Sequence, residues 1–202
     1  MNDGSPLLVL ASASPRRSAL LTQIGVAHEI RATDVDESPL PGESPHALVR
    51  RLAHAKAIEG RRQDTSNLPV LAADTIVVLD GVVFGKPRDA TDSMRMLQAL
   101  GGHTHHVMTA VALALPGVTG VAADAISDTA VSMRLITPAE AAAYWASGEP
   151  AGKAGGYAIQ GLGARFIAHI DGSYSGVMGL PLYETAQLLQ SLGLSNPSSF
   201  PG

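Results

Sequence analysis

Leu7-Leu8-Val9-Leu10-Ala11-Ser12-Ala13-Ser14-Pro15-Arg16-Arg17 is the stretch that decides the fold of this chain. Its first five residues form an apolar run of the kind a buried strand presents, and from Ser18 to Ile24 apolar residues recur at helical spacing until Gly25. The opening is therefore strand, turn, helix, and the turn carries two serines and two arginines. Two readings stay open from these residues alone. Where a strand ends and a helix begins, backbone N–H groups, hydroxyls and guanidinium forks can all be aimed at one anion, which makes a phosphate site. Ordinary capping uses the same residues differently, with Ser14 as N-cap, Pro15 at the first helical position and both arginines in solvent. No G-x-x-x-x-G-K-[ST] occurs, so a P-loop is not available as the explanation.

Outward from this segment, strand and helix patterns alternate. Val26 to Ala32 reads as a second strand, and Asp34-Val35-Asp36-Glu37-Ser38-Pro39-Leu40-Pro41-Gly42 as an acidic, proline-rich loop. Ser44 and Pro45 mark a helix start, and the helix runs to about Gly60 with Leu48, Leu52 and Ala55 on one face and Lys56 near it. Pro69 to Leu79 is a central strand with one acid, Asp74, set in it, and Asp80-Gly81 turns it back into Val82-Val83-Phe84. Thr91 to Leu100 is an amphipathic helix. His103 to Leu115 and Val121 to Leu135 look like an antiparallel pair joined around Pro116-Gly117. Thr137, Pro138 and Glu140 form a capping box, and Gly148-Glu149-Pro150 stops that helix. A glycine-rich loop from Gly152 to Gly163, a strand from Ala164 to Ile170, a loop from Asp171 to Met178 and a helix from Pro181 to about Leu192 follow. The tail from Asn196 to Gly202 is expected to be mobile.

Composition removes several classes of function. The 202 residues suffice for one large domain or two small lobes sharing a sheet. No cysteine is present, so disulfides, thiolate nucleophiles, zinc ribbons and iron–sulfur clusters are excluded, and a reducing compartment, the cytoplasm, is the expected location. The first residues lack the basic start and apolar run of a signal peptide, and no apolar stretch is long enough to span a membrane. A net charge of -4 argues against a protein that coats nucleic acid, so an anionic ligand must be met locally. Three Phe, four Tyr and one Trp, spread along the chain, do not make a stacking platform for single strands.

Few residues stand out as carriers of chemistry. Asp74 lies in an apolar run where an unpaired carboxylate is expensive to bury, so it is a metal ligand, a general base for water, or a strand-end acid paired with a nearby lysine. Asp36 and Glu37 are either solvated loop acids or, with Asp74, oxygen ligands for magnesium. Lys56, Lys86 in Gly85-Lys86-Pro87-Arg88 and Lys153 in Gly152-Lys153-Ala154-Gly155-Gly156 are snorkelling surface lysines taken singly, or charged heads aimed at a ligand taken together. Gln160, before Gly161-Leu162-Gly163, suits an edge that carries both N–H and C=O groups. His103, His105 and His106 suggest metal only weakly, because His106 faces away from the other two on a strand and no acid accompanies them in sequence. No G-x-S-x-G elbow supports a Ser-His-Asp triad.

Seven ordered blocks, between about Leu7 and Leu189, resemble the Maf family of nucleotide pyrophosphatases: Leu10 to Arg17, Val35-Asp36-Glu37, His54-Ala55-Lys56-Ala57, Ala72-Ala73-Asp74-Thr75, Gly85-Lys86-Pro87-Arg88, Lys153 to Gly161, and Asp171-Gly172-Ser173-Tyr174 with Gly179-Leu180-Pro181. The resemblance implies a single α/β domain, an elongated mixed sheet flanked by helices, with two lobes and a central cleft, similar to inosine-triphosphate pyrophosphatases. It implies hydrolysis of a nucleoside triphosphate to the monophosphate and pyrophosphate, with a divalent cation, Mg2+, held by Glu37 and Asp74. Asp74 is then also the proton acceptor, and Ser12, Arg17, Lys56, Lys86 and Lys153 hold phosphates. The family often carries Asp before the lysine of the glycine-rich loop, where this chain has Gly152.

The Gly-Tyr-x-Ile-Gln-Gly block is similar to that of the dTTP and UTP pyrophosphatases, whereas a 7-methyl-GTP branch carries Glu where this chain has Gln160. A glutamine amide donates to O4 and accepts from N3–H of thymine or uracil, which a carboxylate cannot do. On this resemblance Arg16, Thr75 and Gln160 set specificity, and the protein removes unwanted or modified pyrimidine nucleotides. The other function the resemblance allows is a nucleotide- or nucleic-acid-binding regulator of septum formation. The expected partner is a small-molecule nucleotide, with no membrane; a homodimer is compatible with the chain.

Overall fold

A computed structural model describes residues 5–194; the expected mobile tail lies outside the described residues. The fold is α/β. Among the described residues, seven strands form one mixed sheet in the order β2 (His28–Ile30), β1 (Leu8–Leu10), β3 (Val70–Leu79), β5 (Thr104–Ala114), β6 (Ala123–Met133), β7 (Ile167–Asp171), with β4 (Val82–Phe84) paired to β3 off this path. The described residues divide into two compact units. One holds the chain up to Asp74, Thr109–Ser127 and the residues from Gly179 on; the other holds Thr75–Met108 and Asp128–Met178. No helix among the described residues is long and apolar enough to cross a membrane.

In the first unit, β1 (Leu8–Leu10) pairs in parallel with both β2 (His28–Ile30) and the start of β3 (Val70–Leu79). Parallel neighbours need crossover connections, and the helices α1 (Pro15–Gln23) and α2 (Pro45–Gln63) supply them. Leu8, Val9 and Leu10 are fully buried, as the apolar run requires. The strand β2 is shorter than the Val26 to Ala32 expected from sequence because β1 offers only three partners, Leu8↔His28 to Leu10↔Ile30. The helix α1 starts at Pro15 rather than Ser18, its proline at the first position where a missing N–H costs nothing. In α2 the Ser44 hydroxyl accepts from the Ala47 N–H, but the buried stripe runs Leu48, Leu52, Ala53, Ala57, Gly60 and leaves Ala55 half-buried. Gly60 is where the helix meets the sheet: a Cβ there would lie 2.9 Å from both Ala11 Cβ and Val70 Cγ1.

In the second unit, Asp80 and Gly81 both take positive φ, 49° and 78°, the turn that a two-residue hairpin needs between antiparallel β3 and β4. The helix α3 (Ala90–Leu100) follows. The strands β5 (Thr104–Ala114) and β6 (Ala123–Met133) are neighbours that run through both units, and within this one the contacts Thr104···Ser132 and His106···Asp128 run in opposite chain directions, as an antiparallel pair must. After α4 (Pro138–Ala146), the glycine-rich loop contains two 3-10 turns, Ala154–Gly156 and Leu162–Phe166, and leads into β7 (Ile167–Asp171), antiparallel to β6. A short helix α5 (Tyr174–Met178) lies in what reads from sequence as a loop, and α6 (Leu182–Ser191), which follows it, belongs to the first unit. The core of the second unit packs Val77, Phe84, Leu97, Leu100, Val131, Tyr144 and Phe166.

Candidate active site

The turn after β1 is organised around Ser12. Its buried hydroxyl accepts from the Ser14 N–H and from Arg17 Nη1, both at 3.2 Å, while Arg17 Nε donates to the Gly179 carbonyl at 2.7 Å. Ser14 occupies the N-cap position of α1 but makes no side-chain capping bond, so simple capping by Ser14 does not account for the segment. Burial lowers the pKa of Arg17, and Asp74 acts against that shift, followed by Arg16, whose charge repels, and Glu37, whose charge attracts. The arginine therefore lies within the field of both candidate metal ligands.

Asp74 is 6% exposed, set in a strand buried on both faces. It has the partner its burial demands, and that partner is a lysine. Lys56, from α2, donates from Nζ to Asp74 Oδ1 and to Glu37 Oε1, each at 2.6 Å. The two carboxylate oxygens are thus within twice that distance of each other, held by one ammonium. Asp36 is placed differently: it is exposed, and its Oδ1 accepts from the Ser38 N–H at 2.9 Å, a local turn that lowers its pKa through the Ser38 bonds. Arg51 completes the acidic loop's attachment to α2 by a two-pronged bond to Glu43, and this bond brings the Glu43 carboxyl down to about 2.

In the second unit Thr75 is half-buried beside Asp74 along β3, Lys86 and Gln160 are exposed, and Lys153 donates from Nζ to the Glu149 carbonyl. The two loops that carry the lysines are joined by Gly155 N–H to Gly85 O at 3.0 Å. Gly155 has φ 68°, and a Cβ there would press on Val77 at 3.0 Å, so glycine is the residue that lets the loop sit against β3.

Residues 7–192 match the Maf-like protein family. The chain belongs to that family. It is 52% identical over 203 residues to a protein of Bordetella avium named dTTP/UTP pyrophosphatase, covering 96% of this chain and all of the relative. A protein of the same name from Nitrosomonas europaea is 52% identical over 200 residues, covering 93% of this chain and 95% of the relative. A solved nucleoside-triphosphatase / dITP/XTP pyrophosphatase from Mycobacterium abscessus aligns with 64% of this chain and 75% of its own, at 20% identity and a TM-score of 0.43.

Two features of this Maf chain were not legible in its sequence. His106 does have an acidic partner, Asp128 Oδ1 at 2.7 Å, supplied by the neighbouring strand, while His105 is fully buried with Nε2 2.7 Å from the Tyr157 hydroxyl. Glu149, which reads as part of a helix stop, instead bonds across the glycine-rich loop. Its Oε2 accepts from Leu162 N–H at 2.9 Å, and its Oε1 from Gly163 N–H at 2.9 Å and the Tyr144 hydroxyl at 2.6 Å. Only the spacing of Gly161 and Gly163 hinted that something approaches that backbone closely.

Proposed function

We propose that this chain is a nucleoside triphosphate pyrophosphatase acting on dTTP and UTP, and on modified pyrimidine triphosphates, in the cytoplasm. The observation that carries the reaction is the buried Asp74 held beside Glu37 by Lys56. The names of relatives about half identical along nearly the whole chain support the choice of substrates.

Glu37 and Asp74 are hard oxygen donors already drawn to one positive charge, which fits a divalent cation and favours magnesium over softer metals. Bound there, the cation would offset charge on the triphosphate. Asp74 takes the proton of the attacking water as the water oxygen bonds to the α-phosphorus; the bond from that phosphorus to the bridging oxygen breaks, and pyrophosphate leaves with the electron pair. Ser12, Arg17, Lys56, Lys86 and Lys153 hold phosphate oxygens. Arg16, Thr75 and Gln160 select the base, the Gln160 amide donating to O4 and accepting from N3–H.

Wild-type protein with Mg2+ should release pyrophosphate from dTTP and UTP on a panel of nucleotides. Asp74→Asn should lower kcat by about 10²- to 10⁴-fold, the usual worth of a general base, and leave nucleotide affinity largely intact. A folded wild type that binds UTP but turns over no nucleotide would overturn the enzymatic reading and favour a regulator.

A further inference from the structure

We propose that Glu149 is a positioning residue for base selection: its carboxylate staples the loop that presents Gln160. The proposal rests on the reading that Gln160 contacts the base. Gln160 is exposed between Ile159, which is buried, and Gly161, which is exposed, so its aim depends on how the backbone on either side is held.

Both sides are held by one pair of side chains. On the far side the Leu162 and Gly163 amides donate to separate oxygens of Glu149; on the near side the Ala158 amide donates to the Tyr144 hydroxyl at 3.1 Å, and that hydroxyl donates to Glu149. The phenol is itself anchored. Tyr144 is 4% exposed and stacks edge-on against Phe166, with ring centroids 5.2 Å apart. Gln160 thus sits at the apex of a short loop whose two feet are tied to a carboxylate–phenol bridge.

The glycines around it fit this bridge closely. Gly161 has φ 140°, and a Cβ there would lie 2.4 Å from Glu149 Oε2; a Cβ at Gly163 would lie 2.5 Å from the Tyr144 hydroxyl and from Ala158 O. Two amides and one hydroxyl all donate to the same carboxylate, so both oxygens must be acceptors. A glutamine would place an NH2 group against a backbone N–H. Burial alone would raise the Glu149 pKa, yet the Tyr144, Gly163 and Leu162 bonds and the Lys153 charge bring it below the usual range.

The test compares full-length Glu149→Gln with wild type in two measurements: amide hydrogen exchange at residues 158–166, and the ratio of kcat/KM for UTP to that for GTP. Loss of one hydrogen bond to a carboxylate corresponds to about tenfold. Exchange at Leu162 and Gly163 should quicken by about that factor, and the UTP/GTP ratio should fall similarly, through KM more than kcat. Tyr144→Phe removes one foot only and should shift both readouts in the same direction by less; it carries the test if Glu149→Gln does not fold. Unchanged exchange, or faster exchange with an unchanged UTP/GTP ratio, overturns the proposal. Gln160→Ala separates the two layers. If it leaves the ratio unchanged, the base-reading role of Gln160 fails and the proposal with it; if it lowers the ratio while Glu149→Gln does not, the role of Glu149 alone is wrong.

Discussion

Asp74 and Glu37 share a single ammonium, and that arrangement determines what each of the three residues can do. Asp74 and Lys56 are nearly buried, with side chains 9% and 12% exposed, while the Glu37 side chain is 44% exposed. Removing Lys56 takes away the ammonium that both carboxylates accept from, one of them out of water, and leaves the charge of Arg17 acting on both. Breaking a fully buried pair costs about 3–5 kcal/mol, and the solvent at Glu37 relieves part of that. Lys56→Met should therefore destabilise the protein by about 2 kcal/mol in chelator. If Glu37 and Asp74 hold the cation, millimolar Mg2+ should restore part of the loss, because a ligand that binds only the folded state stabilises it. Thermal unfolding with and without Mg2+ reads this directly, and a variant whose midpoint ignores Mg2+ would count against these two residues as metal ligands.

Elements with a local signature were legible in the sequence, and those shaped by a distant partner were not. The capping box of α4 depends on four consecutive residues: Glu140 N–H donates to the Thr137 hydroxyl at 3.3 Å, and Thr137 N–H donates to Glu140 Oε2 at 2.9 Å. Thr137→Ala should lower stability by about 1 kcal/mol, measured by the urea midpoint, with activity per folded molecule unchanged. The Asp80-Gly81 hairpin is equally local, since two positive φ angles require such residues. The length of β2, by contrast, is set by β1, and the buried stripe of α2 passes through Ala57 and Gly60 because the sheet approaches at Ala11 and Val70. The candidate site divides in the same way. Asp74 announced itself as a charge in an apolar run, and its need for a partner follows from burial. That the lysine is Lys56, shared with Glu37, and that Glu149 spans the glycine-rich loop, depend on contacts across 13 to 19 positions in sequence that no local pattern encodes.

At the scale of the whole molecule, a buried titratable pair links stability to pH. Burial pushes the His105 imidazole down to about 4, with the charge of His106 acting in the same direction, and Tyr157 faces it with a neutral hydroxyl. Between the ordinary histidine value near 6.5 and about 4, the unfolded chain binds a proton that the folded protein does not, so stability falls as pH drops through that window and levels off below it. His105→Gln keeps a hydrogen-bonding group and removes the titration. The stability advantage of wild type over this variant should shrink by about 3 kcal/mol from pH 7 to pH 4, measured by urea unfolding. A constant difference across that range would show that His105 is protonated in the folded state or solvated. The central claim concerns which bond the molecule breaks, and hydrolysis of UTP in 18O-labelled water with Mg2+ tests it most directly. Attack at the α-phosphorus predicts UMP carrying the label and unlabelled pyrophosphate; label in the pyrophosphate, or UDP and phosphate as the products, would contradict it.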